Sequence, residues 1–300
     1  DDGYPAPELQ YSNVYNCKFY ENSASNQGGV IGGDADNGPW DHPGFSIENS
    51  HFENNSASNG AVVSITTGAE YYSLIYFLID SCVFIGNYNT TSGGGGGLFH
   101  TTQKIYSHSV TNNKFINNYI THQTSLFHHT STEFEMTFAD NIFYGNYHIS
   151  NDTDPNTLVI YTDARNNQYP QVNLINNLFI DNISENGTII RSTIEGSGNA
   201  YFNNSCQYIL KYPQGLTSNL NNQNNYWGTK LSTVIDNLIY DFNDDPDFNT
   251  PIADYTPFLL ASPASLLGSP SSITGISLKT DFTYQTSLVE NIDPSDTLFI

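Results

Sequence analysis

Apolar residues along this chain fall in short runs broken by Asn, Gly and Ser, and one run recurs with the same ending. NCKFYEN lies at 16–22, NSHFENN at 49–55, SCVFIGN at 81–87, NNKFINN at 112–118, DNIFYGN at 140–146 and NNLFIDN at 176–182. The shared Phe residues, Phe19, Phe52, Phe84, Phe115, Phe143 and Phe179, are spaced by 33, 32, 31, 28 and 36 residues. A repeat near this length without helical periodicity predicts stacked β-strands, not a helical array.

Each period holds two further apolar runs. One follows the Asn: GGVI at 28–31, AVVSI at 61–65, GLFHT at 97–101, SLFHHT at 125–130, TLVIYT at 157–162 and GTIIRST at 187–193. Another precedes the Phe: FSI at 45–47, LIYFLI at 74–79, FEMTF at 134–138 and VNLI at 172–175. Three short strands per period, separated by turn residues, predict an all-β solenoid, a parallel β-helix. Its Phe residues stack inward, one coil on the next. Cys17, Ser50, Cys82, Asn113, Asn141 and Asn177, two positions earlier, are small enough to fill beside the rings. The Asn after each Phe takes the bend, where it tolerates left-handed backbone angles and bonds the same amide one coil away. The segments 33–44, 87–97 and 146–156 read as polar excursions from one edge.

After residue 195 the period shortens, and NAYFNNS at 199–205 loses Phe-x-x-Asn. From Leu231 to Tyr240, Val234, Ile235, Leu238 and Ile239 share one helical face, with Thr229 or Ser232 as N-cap. A short helix here closes the open end of the solenoid. This gives a solenoid over 1–258, a Ser/Pro-rich linker over 259–272 and a strand-like tail over 273–300.

The ending NNYWGTKLSTVIDNLIYDFNDDPDF…YTPFLL resembles the close of right-handed parallel β-helix domains in bacterial and archaeal adhesin-like surface proteins. The GGVI and GAVV strands with Phe-x-x-Asn are similar to the repeat of polymorphic outer-membrane proteins. The resemblance implies a right-handed solenoid, here of about eight coils, and the start of an immunoglobulin-like domain in 273–300. It carries over no catalytic residue.

Composition restricts the chemistry. Thirty acids against eight bases give a net charge of −22, which repels nucleic acid and anionic membrane surfaces. No apolar run approaches the roughly 20 residues of a membrane helix. The chain begins at Asp1 with no signal peptide, as a processed or excised piece does. Cys17 and Cys82 lie two repeats apart, about 10 Å at strand spacing, too far for a disulfide. Sequons at Asn54, Asn89, Asn151, Asn182, Asn186 and Asn203 are candidate glycosylation sites. Asn182 is expected to stay bare because its ladder position buries it.

Stacking of the second strand aligns Ser64, His100, His128, Tyr161 and Arg191 in an outward column, a candidate ligand-contacting face. His100 and His128 in that column, with His129 nearby, are two metal-type ligands without a third. Asp241, Asn243, Asp245 and Asp247 alternate as calcium ligands do, but Pro246 stands where such a loop needs Gly. Asp34, Asp36 and Asp41 form a second acidic group for a candidate Ca2+ site. Tyr71, Tyr72, Tyr106, Tyr119, Tyr144, Tyr147 and Tyr169 near turns could stack on sugars or pack the excursions.

Polysaccharide lyases and hydrolases share this architecture. Arg165 and Arg191 are the only arginines, however, and no coil carries the paired Asp and Gly-His-Gly arrangement of polygalacturonase-like hydrolases. The sequence therefore points to an extracellular, cell-surface, non-enzymatic module without a cofactor. Its expected partners are host or neighbouring-cell surface glycans or proteins. A subunit stacking end to end into a fibre or sheath is the alternative, and a carbohydrate-active enzyme is the third reading.

Overall fold

A computed structural model describes residues 11–34, 44–66, 73–90, 96–101, 104–121, 125–129, 135–149, 157–162, 171–213, 219–246 and 250–263. The tail at 273–300, the acidic residues Asp36 and Asp41, and Asn151 lie outside the described residues.

The protein is all-β and its strands pair in parallel, consistent with a solenoid. The first sheet contains Tyr11–Tyr15, Gly44–Glu48, Ser73–Asp80, Lys104–Thr111, Glu135–Ala139, Gln171–Ile175 and Thr193–Ser197. The second contains the Phe strands Lys18–Tyr20, His51–Glu53, Val83–Ile85, Lys114–Ile116, Ile142–Tyr144 and Leu178–Ile180, followed by Ala200–Phe202. Each strand hydrogen-bonds to its equivalent one repeat away, so Phe19, Phe52, Phe84, Phe115, Phe143 and Phe179 are register partners. Their rings stack with centroids 4.8–5.1 Å apart.

The sequence expectation of three strands per period is corrected to four. Ser56–Ala57, Tyr88–Asn89, Tyr119–Thr121, Tyr147–Ile149 and Ile183–Ser184 form a third sheet, and Tyr88–Asn89 and Tyr147–Ile149 lie inside segments read as excursions. Strands of two or three residues show no alternation, so the pattern cannot announce them. The fourth sheet runs Ile31–Asp34, Val63–Thr66, Phe99–Thr101, Phe127–His129, Thr157–Thr162, Thr188–Arg191, Tyr208–Lys211 and Ile239–Tyr240.

Two corners have constant length. From the first sheet to the second the chain turns on two residues, such as Asn112–Asn113 or Asp140–Asn141. From the second to the third it turns on another two, such as Asn117–Asn118 or Gly145–Asn146. The first residue of each pair holds a positive φ: Asn49 at 49°, Ser81 at 56°, Asn117 at 50° and Asp181 at 52° are examples. The left-handed angle therefore falls on the residue before the ladder Asn, not on the ladder Asn itself. Asn, Asp or Gly is common there because each tolerates that conformation. At Gly145, an added Cβ would stand 2.3 Å from Asn117 Oδ1, so φ and space both favour Gly.

The second residue of each pair builds a ladder. At the Phe-x-x-Asn corner, Asn22, Asn55, Asn87, Asn118, Asn146, Asn182 and Asn204 are linked from Nδ2 to the next Oδ1 at 2.9–3.1 Å. Each Asn backbone N–H donates to that same oxygen. The remaining Nδ2 hydrogen reaches a Phe carbonyl of the preceding repeat, as from Asn118 to Phe84 at 3.0 Å. The amides thus satisfy buried corner groups that water cannot reach.

Cys17, Ser50, Cys82, Asn113, Asn141 and Asn177 were expected to be fillers beside the rings, but they form a second ladder at the other corner. Asn113, Asn141, Asn177, Asn199 and Asn225 repeat the amide pattern at 2.9–3.0 Å. Above them, Cys82 N–H donates to Asn113 Oδ1, Ser50 N–H to Cys82 Sγ and Cys17 N–H to Ser50 Oγ. All three cysteines are free thiols.

The aromatic column also outlasts its motif. Tyr201 stacks on Phe179 and Trp227 on Tyr201, each at 5.0 Å. The expected ten-residue helix is corrected to Ser232–Asp236, whose N-cap Leu231 makes no side-chain cap bond. Of the expected face, Ile235 is buried within the helix and Val234 is exposed, while Ile239, also buried, lies beyond the helix and pairs with Leu210 in the fourth sheet.

Candidate functional site

The expected column is in register. Ser64 pairs with His100, His100 with His128, His128 with Tyr161 and Tyr161 with Arg191. It lies opposite the core face, because Phe99, Phe127 and Ile190, one residue before His100, His128 and Arg191, are buried inside. Stacking at strand spacing brings the His100 and His128 rings to a centroid distance of 5.7 Å, and Ser64 Oγ lies 3.4 Å from His100 Nδ1.

Exposure differs from the expectation. Ser64 is fully buried, and His100 and His128 are only 7% and 5% exposed. An open contact face at these three positions is therefore corrected. Burial disfavours the charged imidazolium, lowering the His100 pKa and pushing His128 down to about 3, with His100 adding repulsion. The pair is neutral at pH 7. Ser64 cannot meet a substrate as an exposed nucleophile. Arg191 is half-buried at the far end.

The column continues beyond the expected residues. Arg191 pairs with Lys211, and Lys211 with Tyr240. Lys211 Nζ stands 4.9 Å from the Tyr240 ring centroid and 6.0 Å from that of Tyr208, and the two rings meet edge to face at 5.3 Å. Sequence reasoning missed Lys211, Tyr208 and Tyr240 because the shortened period removes the motif that would have set their register.

The calcium-like Asp241 spends its carboxylate internally. It accepts from Asn243 N–H at 2.8 Å and Ala253 N–H at 3.0 Å, and it is buried. Asp247 lies outside the described residues. Among the described residues, no three His, Cys, Asp or Glu side chains converge as a metal site. Of the tyrosines, Tyr119 and Tyr147 stack on each other at 5.5 Å, while the side chains of Tyr71, Tyr72, Tyr106 and Tyr169 lie outside the described residues.

The sequons divide by burial. Asn89 is 1% exposed, and its amide bonds both ways to the Thr121 backbone, so the expected glycan there is corrected. Asn182 is buried in the ladder, Asn54 is half-buried, and Asn186 and Asn203 are exposed.

No family model, curated protein or solved structure matches the chain.

Proposed function

We propose that the chain is a right-handed parallel β-helix of about eight coils, serving as an adhesin-like module on the outside of a cell. It is non-enzymatic: it spaces and presents loops to glycans or proteins of a neighbouring surface. The observation that carries this reading is the contrast between its corners. The two Asn corners keep two residues in every repeat, whereas the connection from the fourth sheet to the first varies from the single residue 192 to the nine of 35–43. A constant side held by amide ladders and a variable side of loops is the division of labour of a presenting scaffold. The resemblance of the 221–260 segment to the end of surface-protein solenoids supports the same reading.

Antibody against the chain, applied to intact source cells, tests the location. Labelling that is lost after external protease is the expected result, and labelling that requires permeabilisation overturns it. Release of reducing or unsaturated ends from polysaccharides by the purified chain would overturn the non-enzymatic role.

A further inference from the structure

We propose that the first repeat, residues 11–34, is a strand-addition site for another polypeptide that brings an extended aromatic-x-x-Asn segment in parallel. The site stands on the geometry of that repeat and not on the cell-surface reading.

Three of the four sheets end on this repeat. Tyr11–Tyr15, Lys18–Tyr20 and Ile31–Asp34 each have one strand neighbour, supplied by the next repeat. Their inward side chains are covered on that side. Val14, Phe19 and Ile31 are half-buried, whereas their register partners Ile47, Phe52 and Val63 are fully buried. Phe19 stacks on Phe52 at 4.9 Å, and among the described residues no ring lies on its other face; Phe52 itself is stacked on both. The amide ladder stops at the same level. Asn22 N–H and Nδ2–H donate to Asn55 Oδ1 at 3.0 and 2.9 Å. Among the described residues nothing donates to the oxygen of Asn22, which is exposed, while Asn87 Oδ1 receives both donors of Asn55.

These open groups define the occupant. A flat ring over Phe19 and an Asn over Asn22 are what each interior repeat supplies to the one after it, so the segment is aromatic-x-x-Asn in parallel register. Its backbone pairs with the strand edges at Tyr11–Tyr15 and Lys18–Tyr20. The contact continues, by one step, the interface that already joins the repeats. This chain does not supply the segment. Its Phe-x-x-Asn runs already lie within the stack, and neither 1–10 nor 264–300 has an aromatic residue with Asn three places on. A second copy does not fit either. Two copies meeting through this repeat run antiparallel, out of the register that the rings and amides require. At the opposite end Trp227 covers Tyr201, and Asn225 Nδ2 gives its hydrogens to the Gly196 and Asn222 carbonyls at 2.9 and 2.7 Å, leaving none for a further Asn.

Titration of the full chain with the capped peptide acetyl-NNKFINN-amide, a copy of residues 112–118, tests this. Two control peptides keep its charge, one carrying Phe115→Ser and the other Asn118→Ala. Saturable binding of the parent peptide is expected, about tenfold or more weaker for both controls. A photoreactive benzoyl-phenylalanine in place of the peptide's Phe should cross-link within residues 11–34, located by mass spectrometry. In the protein, Asn22→Ala should weaken binding about tenfold. Val234→Lys, on the exposed side of the helix, should leave it unchanged. Absence of saturable binding overturns the site. So do equal affinities of the three peptides, or cross-links confined to residues beyond 34. Self-association of the chain that the peptide does not reduce would make a second copy the occupant and overturns the proposal as well. If Asn22→Ala fails to fold, the peptide series and the cross-links decide.

Discussion

Asn118 gives two hydrogens to one oxygen of Asn146, from its backbone at 3.1 Å and from Nδ2 at 2.9 Å, across 28 residues of sequence. Its own oxygen receives the same pair from Asn87. Replacing Asn118 with Ala therefore takes from the preceding repeat the oxygen that both Asn87 donors use and the amide that reaches the Phe84 carbonyl, and leaves Asn146 Oδ1 with the backbone donor alone. The expected loss is about 3 kcal/mol, since each buried group left unpaired costs roughly 1–3 kcal/mol. Urea unfolding measures it, and Asn118→Asp, which removes two donors, should also destabilise.

Phe115 lies between Phe84 and Phe143 at 4.9 and 4.8 Å and is fully buried. Phe115→Ala should cost about 3–5 kcal/mol. Phe115→Leu should cost less, because it fills more of the same space. Thermal melts of both variants check the order.

Cys82 occupies an asparagine's place in the second ladder. Its Sγ accepts from Ser50 N–H at 3.4 Å and lies 3.5 Å from the Ile47 carbonyl. That carbonyl corresponds to the Ile79 oxygen bonded by Asn113 in the following repeat. Cys82→Asn should stabilise by about 1 kcal/mol, the usual net value of a hydrogen bond gained, and Cys82→Ala should destabilise. Burial also pushes the Cys82 and Cys206 thiols up to about 12. Alkylation at pH 8 should therefore modify the half-exposed Cys17 first, with mass spectrometry locating the adduct.

His108 replaces the Phe77 and Met136 of neighbouring repeats in the core, packed edge-on against Phe77 at 4.9 Å. Burial pushes its pKa down to about 3, against 6.5 when exposed. Below pH 6.5 the unfolded chain takes up a proton that the folded chain refuses, so stability is lost progressively from 6.5 down to 3. Between pH 7 and pH 5 the parent should lose about 2 kcal/mol more than His108→Met. Equal losses in both proteins would contradict a neutral buried imidazole.

Expression in a glycosylating host should place sugar on the exposed Asn186 and Asn203 and leave Asn89 and Asn182 bare. Glycopeptide mapping reads the four sites. Sugar at Asn182 would be incompatible with its bonds to Asn204 and the Phe143 carbonyl.

The Phe and Asn columns are legible in the sequence because one residue type recurs at every level. The second ladder is not, since Cys, Ser and Asn take turns in it and share only the ability to accept one hydrogen bond. Tyr201 and Trp227 escape for a related reason: the column needs any flat ring, whereas a motif needs one letter. The alignment of Ser64 with His100, His128, Tyr161 and Arg191 could be read from strand spacing, but burial could not. Exposure depends on what packs over a strand, and the alternation within the strand does not encode that.

The ladders also have a sense of direction. Every side-chain oxygen accepts from the repeat before it, and every amide nitrogen gives to the oxygen of the repeat after it. One end of such a column is chemically an acceptor and the other a donor. A whole repeat inserted in the same orientation meets the bonds it requires on both sides. One inserted in reverse meets oxygen with oxygen. Such a molecule can lengthen by duplication of its own units, but only like to like and in one sense.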